Sequence, residues 1–257
     1  MNERQKSIYE LLLSEQQMKI RDLARRFDVT SETIRRDLKA LEASDLIKKL
    51  RGSVVLNTSR ADEVLYSQRE ARNPQEKTAI ARVAASMIKD GETIVFNTGT
   101  STLEIARQIM HLQDLTILTN SITIASLLVE NPTNRVLFLG GELRKEGLGT
   151  SGYYALEMLK DFYADKAFLS IGGLSAKHGA SEYHTNETHV LREMVKISQE
   201  TIAVCDYTKL NVTALNRICD LDQLSCIITD WNVSGKDLQE FQDAGATILI
   251  AQKPADL

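Results

Sequence analysis

The sequence predicts an α/β protein in two parts, a small N-terminal winged helix-turn-helix unit and a larger α/β domain built on a largely parallel sheet. Three observations predict it. Short amphipathic helical patterns crowd the first part of the chain, a basic pair of strand-like runs comes next around Arg51-Gly52, and from residue 73 onward short apolar runs alternate with helical stretches. A chain of 257 residues can bury a separate core in each part.

Taken in order, Ile8, Leu11 and Leu12 recur at the spacing of one buried helical face, and the polar tract Ser14 to Gln17 ends that helix. A brief Met18-Lys19-Ile20 alternation precedes a second, shorter helix marked by Leu23, Ala24 and Phe27, and the chain turns at Asp28-Val29. Thr30 is placed as the N-cap of a third helix, its hydroxyl accepting a free backbone N–H, while Ile34, Leu38 and Leu41 supply a narrow apolar stripe. Leu46 to Leu50 and Val54 to Asn57 read as two strands joined at Arg51-Gly52, which completes a winged helix-turn-helix over residues 1–57. Residues 58–72 carry mixed charge and few apolar groups and read as a linker with some helical character.

The second domain, residues 73–257, opens with Asn73 as a capping residue, Pro74 at the first helical position and Glu76 set to close a capping box. Ile80, Val83, Ala84 and Met87 form the buried face of that helix, and Gly91 is read as its stop. The strand-like runs are Thr93 to Phe96, Leu115 to Leu118, Val136 to Leu139, Ala167 to Ile171, Thr201 to Cys205, Cys226 to Thr229 and Thr247 to Ile250.

The segments at the carboxyl ends of these strands point to a ligand. The strands run into "NTGTST", "TNS", "GGELRKEG", "GGLS" and "DYTK" in turn, and open α/β sheets bind ligands beyond the carboxyl ends of their strands. Thr98, Gly99, Thr100, Ser101, Thr102, Asn120, Ser121, Gly140 and Gly141 thus become candidate pocket residues. A helix starting at Ser101 or Thr102 would aim its positive end at an anion. Lys209 is the candidate partner for a phosphate, with Asp206 three residues earlier to hold its ammonium or a sugar hydroxyl. The guest class is a small phosphorylated or polyhydroxylated molecule.

On the third helix, Arg35 lies about 100° and Arg36 about 200° from Ile34, with Lys39 between them, so the three cations share the outward face. Ser31 and Thr33 in the first turn can reach phosphates or base edges, and Lys48, Lys49 and Arg51 continue the charge along the wing, with Arg51 placed for a minor groove. The rival reading is a solvated face, with Asp37 and Glu42 as local partners of the cations. The short-helix geometry, the wing and the positive excess of the segment together favour the first reading: residues 1–57 hold 12 Lys+Arg against 9 Asp+Glu, whereas the remainder holds 19 against 26. Double-stranded DNA is the expected partner, bound by a dimer or tetramer, since paired recognition helices match paired half-sites.

The motifs "TIRRDLKALEASDLIKKLRGSVV", "YSQR", "NPQEKTAIARVAASMIKDGETIVFNTGTSTLEIA", "LTILTNS", "LGGELR", "ADKAFLSIGG", "NETHVLREM" and "DYTK" together resemble the DeoR-type bacterial repressors of sugar operons. The resemblance covers nearly the whole chain. It implies a sensor domain similar to the sugar-phosphate isomerase and CoA-transferase fold, binding a phosphorylated sugar or related intermediate that modulates operator affinity. By position it puts Thr33, Arg35 and Arg36 on the recognition helix, and Thr98, Gly99, Thr100, Ser101, Asn120, Glu187 and Lys209 in the effector pocket. The chain departs from that pattern at Arg51-Gly52-Ser53, where His-Gly-Gly is usual, at Asp45 in place of a common glycine, at Gly172-Gly173 where aspartate often precedes glycine, and near Leu191, where a typical lysine is absent.

Other chemistries fare worse. Sugar-phosphate isomerisation needs a carboxylate base, and the Gly172-Gly173 loop lacks one, with Glu187 a conceivable substitute. No catalytic residue and no cofactor is assigned. His184 and His189 are spaced five apart where helical metal ligands prefer three or four, so no metal site is assigned; "EYHTNETH" reads instead as a loop entering a helix capped by Asn186. Cys205, Cys219 and Cys226 read as small core residues, and Trp231 as packed at an edge. The amino terminus lacks the layout of a secretion leader and no apolar run approaches the roughly 20 residues of a membrane span, so the expected location is the cytoplasm, without a membrane partner.

Overall fold

The computed structural model describes residues 3–15, 17–43, 47–50, 52–56, 66–144 and 147–254. They divide into two units, residues 1–64 and residues 65–257.

The first unit runs α1 (Glu3–Glu15), β1 (Gln17–Lys19), α2 (Ile20–Arg26), α3 (Ser31–Ala43), β2 (Ile47–Leu50) and β3 (Ser53–Leu56). Its core is the apolar stripe of each helix closed by the wing: Ile8, Leu12, Leu23, Ile34, Leu38, Leu41, Ile47 and Val54 are all essentially inaccessible. Asp28, in the left-handed conformation at φ 49°, turns the chain between α2 and α3. Thr30 caps α3 by accepting the Thr33 N–H at 3.2 Å. The wing has three strands rather than two, because β1 pairs with β3, Met18 opposite Val54, in the order β1-β3-β2. Ile20, read as part of the alternation before α2, is instead the first residue of that helix.

The second unit begins with α4 (Tyr66–Ala71) and α5 (Pro74–Ala85), then β4 (Thr93–Phe96), α6 (Thr100–Gln108), β5 (Thr116–Thr119), α7 (Ile122–Leu128) and β6 (Arg135–Phe138). A hairpin comes next, β7 (Glu142–Arg144) with β8 (Gly149–Ser151), and then α8 (Tyr153–Leu159) and β9 (Ala164–Ser170). The chain continues through β10 (Gly173–Ser175), β11 (Gly179–Glu182), α9 (Thr185–Ile197), β12 (Ser198–Val204), β13 (Asn216–Cys219), β14 (Cys226–Asp230), α10 (Gly235–Asp243) and β15 (Ile248–Ala251). All seven strands read from the apolar runs enter one sheet, ordered β15-β14-β12-β9-β4-β5-β6, and every pairing in it is parallel. Three-residue and four-residue strands make a separate antiparallel sheet, β10-β11-β13.

Parallel sheets are covered on both faces, and the side chains alternate accordingly. Ile94, Phe96, Ile117, Phe168, Ile202 and Val204 meet α5, α6 and α7 on one face; Val95, Leu118, Leu169, Ala203 and Ile227 meet α8, α9 and α10 on the other. Phe96 and Phe168 stack across neighbouring strands at 5.8 Å. Cys205, Cys219 and Cys226 are buried and unpaired, and burial raises the Cys219 and Cys226 thiols to about 11. Trp231 is half-buried against the face that carries Phe96 and Phe168.

The structure departs from the expected local features at four places. The stretch 58–72, expected to be a linker with some helical character, holds α4, which belongs to the second unit rather than to a linker and is tied to α6 by a Glu70–Arg107 ion pair at 2.9 Å. Asn73 does precede α5, but in the left-handed conformation at φ 49° its side chain makes no capping bond, and Glu76 accepts from Asn232 at 3.0 Å instead of closing a box. α5 stops at Ala85, and Gly91, at φ 81°, instead forms the turn into β4, its N–H donating to the Gln113 carbonyl. α9 starts after His184, whose carbonyl accepts the Thr188 N–H, so Asn186 sits within the helix rather than at its cap. Among the described residues no helix is long and apolar enough to cross a membrane.

Candidate functional site

In the first unit the outward face of α3 is cationic. Arg35, Arg36 and Lys39 are exposed, and with Ile20, Lys49 and Leu50 they line a shallow groove between the helix and the wing. Ser31 and Thr33 are half-buried at the start of the helix, with the Thr33 hydroxyl 2.9 Å from that of Thr30. Arg35 pairs with Glu32 at 3.2 Å. Lys49 of the wing pairs with Glu42 of α3 at 2.7 Å, which holds that carboxyl below its ordinary value and ties wing to helix. Asp37, 3% exposed, turns inward to Arg4 at 2.6 Å and Gln5 at 3.2 Å. Lys48 lies on β2, its side chain outside the described set, and Arg51 lies outside the described residues.

In the second unit the order of strands reverses between β4 and β9. Chain order proceeds outward one way through β5 and β6 and the other way through β12, β14 and β15. Such a reversal opens a crevice at the carboxyl ends of the two central strands. Asn97 and Ser170 close its floor: the Asn97 amide donates to the Ser170 carbonyl and accepts the Ser170 N–H, each at 2.8 Å. Gly99 must be glycine here, since a β-carbon would lie 2.2 Å from that of Ser170. With Gly99 in this position α6 starts at Thr100, and the first N–H groups of the helix face the end of the strand.

The polar side chains around this crevice divide into two groups. Asn120 accepts the Thr98 N–H at 2.9 Å and donates to the Thr150 carbonyl at 2.7 Å, so it knits the turns after β4 and β5 to β8. Thr102 donates to the carbonyls of Asn97 and Gly99, Ser121 caps α7 through the Ile124 N–H, and Gly141 packs where a β-carbon would meet the Ser151 carbonyl at 2.3 Å. Gly140 donates its N–H to the Met158 sulfur at 3.3 Å. These residues build the walls. Thr98, Thr100 and Ser101 stay at the strand-end turn itself, the latter two buried.

The ionisable groups form the second set. Asp206, 6% exposed, accepts from Thr208 and caps the short turn Tyr207–Lys209, which brings Lys209 beside it. Burial lowers the Lys209 pKa, opposed by Asp206 and reinforced by Arg69. Burial raises Glu182, with neighbouring Glu187 adding to the effect and Arg69 and Lys209 opposing it. Burial raises Asp230 as well, against the N–H groups of Asn232 and Tyr207. Lys77 of α5 is lowered by burial to about 8, although Asp206 counteracts. Glu187 pairs with Arg144 at 2.7 Å, Arg144 also lies 2.8 Å from His184, and the three line a cavity of about 280 Å³. His189 is exposed on α9, and among the described residues no cluster of three His, Cys, Asp or Glu groups could hold a metal ion.

Arg69, Lys77, Arg144 and Glu182 were not singled out from the sequence. Lys77 had a signal: it precedes Ile80, Ala81 and Ala84 at helical spacing, so it falls on the apolar face of α5.

A winged helix-turn-helix with a cationic groove, joined in one chain to an α/β unit whose switch-point crevice is lined by buried charges, defines a DNA-binding regulator with a sensor domain. The chain belongs to the DeoR family: residues 72–231 match the DeoR C-terminal sensor domain and residues 4–60 the DeoR-like helix-turn-helix domain. It is 31% identical over 97% of its length to the HTH-type transcriptional regulator GolR of Listeria innocua, covering 98% of that protein. It is 31% identical over 99% of its length to the HTH-type transcriptional repressor CsqR of Escherichia coli, covering 97% of it. Among solved structures it resembles a D-ribose-5-phosphate isomerase in complex with phospho-erythronic acid, with a TM-score of 0.39 and 14% identity over 52% of each chain.

Proposed function

We propose that this regulator represses a carbohydrate-utilisation operon and that a phosphorylated sugar or related acid, bound in the switch-point crevice, sets its operator affinity. The observation that supports the reading is the short turn after β12 that carries both Lys209 and Asp206, with α6 starting at Thr100 directly after β4: one cation and a helix terminus for a phosphate, one carboxylate for hydroxyls. Ser31, Thr33, Arg35, Arg36 and Lys39 of α3, together with the wing lysines, grip the duplex, and two subunits or a multiple of two present paired recognition helices to paired half-sites. The effector acts by binding the DNA-competent and DNA-incompetent states unequally.

The experiment is a thermal-shift screen of the full chain against sugar phosphates and phosphorylated sugar acids, followed by operator titration with each stabilising compound. A native-state ligand must raise the melting temperature. The reading fails if no compound does so, or if those that do leave operator affinity as it was. Regulation without catalysis predicts that the same compounds are recovered unchanged after incubation with the protein.

A further inference from the structure

The cationic wall of the crevice extends beyond the strand-end loops, because α4 contributes to it. Lys77, 4% exposed on α5, donates its ammonium to the main-chain oxygens of Arg69 and of Arg72, the latter at 2.6 Å. These carbonyls lie at the C-terminal end of α4, where a helix leaves its oxygens without intrahelical partners, so a neighbouring helix completes the end of α4 with a charge. Glu70 fixes the same helix to Arg107 of α6.

Held there, α4 carries Arg69 to the neighbourhood of Gly147 and the loop after β4. A β-carbon placed on Gly147, between β7 and β8, would lie 3.9 Å from Arg69 Nη2, 3.3 Å from Arg144 Nη2 and 3.3 Å from the Thr98 methyl. Two guanidinium groups and the loop after β4 therefore converge around Gly147, where even the first carbon of a larger side chain would be crowded. The Arg69 charge also acts on Lys77, Lys209 and Glu182, which places it among the ionisable groups already described. A planar guanidinium is the side chain best matched to a phosphate's oxygens.

We propose that Arg69 is a phosphate ligand of the effector crevice, carried on the helix that directly follows the segment leaving the DNA-binding unit, with Lys77 as its positioning residue. The proposal rests on the effector reading given above. Its consequence is that an occupant of the crevice takes hold of α4, the element of the sensor nearest in sequence to the DNA-binding unit.

The test uses the full chain and inorganic phosphate, read by thermal-shift titration and by hydrogen exchange of residues 66–72. Phosphate should stabilise the wild type and slow exchange in α4. Arg69→Gln should raise the phosphate midpoint about tenfold, the loss of one charge-assisted contact, and abolish the slowing, with Arg69→Lys intermediate. Lys77→Met should raise the midpoint as well as lower the melting temperature; a merely structural lysine would lower only the latter. A midpoint for Arg69→Gln within about twofold of wild type, or α4 exchange indifferent to phosphate, overturns the proposal. If sugar phosphates stabilise the wild type and inorganic phosphate does not, the Arg69 assignment falls alone. If neither does, the effector reading falls and takes this one with it.

Discussion

Asp37 sits between Arg36 and Lys39 of α3 in sequence, yet its carboxylate closes on Arg4 of α1 at 2.6 Å. It occupies the side of α3 next to Ile34 and Leu38, so with Arg4 and Gln5 it clamps α1 to α3. Asp37→Ala removes the buried acceptor of this clamp and leaves Arg4, whose side chain is 37% exposed, to be rehydrated, so the DNA-binding unit should lose about 0.5 to 1.5 kcal/mol of stability. Urea denaturation of the variant checks this, and a midpoint equal to wild type would show that the clamp contributes nothing.

Arg36 is exposed on the α3 face that lines the groove. Arg36→Ala should cost about 1 to 3 kcal/mol of operator affinity if it reads a base edge, or lower the salt slope by about one if it touches only phosphate. Mobility-shift titrations at several salt concentrations distinguish the two, and an unaltered isotherm removes Arg36 from the interface.

Lys209 is held beside Asp206 at the end of β12. Lys209→Ala should weaken binding of a stabilising sugar phosphate by about tenfold or more, the value of one charge-assisted hydrogen bond. Calorimetry gives the affinity, and circular dichroism shows whether the variant is folded. Equal affinity in a folded variant would place the phosphate elsewhere.

Lys77 gives a pH signature. Its folded pKa, about 8, lies below its ordinary value, so between those values the unfolded chain binds more protons and stability rises with pH. The cost of burying the ammonium is thus present in full below about pH 8 and is relieved as the pH climbs toward the ordinary lysine range. Relative to Lys77→Met, the wild type should gain stability from pH 8 toward pH 10, and its Nζ resonance should titrate near pH 8. A titration in the ordinary lysine range would contradict this.

The seven sheet strands were legible because parallel strands buried on both faces read as unbroken apolar runs, though their ends shifted by a residue or more, from Leu115 to Thr116 and from Ala167 to Ala164. Short strands such as β7, β8 and β10 carry no such run and were invisible. The cap at Asn73 was misread because residue type does not reveal a left-handed backbone. The loops of the crevice were found from their position after strands, and from that alone. Nothing in their composition separated Asn120, Thr102 and Ser121, which build the walls, from Lys209, which stands among the charges. Lys77 was overlooked because a lysine in a helix ordinarily reads as solvated, and its acceptors are main-chain atoms of another helix, without any side-chain signature.

The contact between Lys77 and the end of α4 dictates where this molecule can be divided. A sensor fragment begun at residue 73 would retain the buried lysine and discard both main-chain oxygens it is bonded to, leaving a buried ammonium without those acceptors. A cut ahead of Leu65 keeps donor and acceptors on the same piece, so dissection of the two halves succeeds or fails on those eight residues.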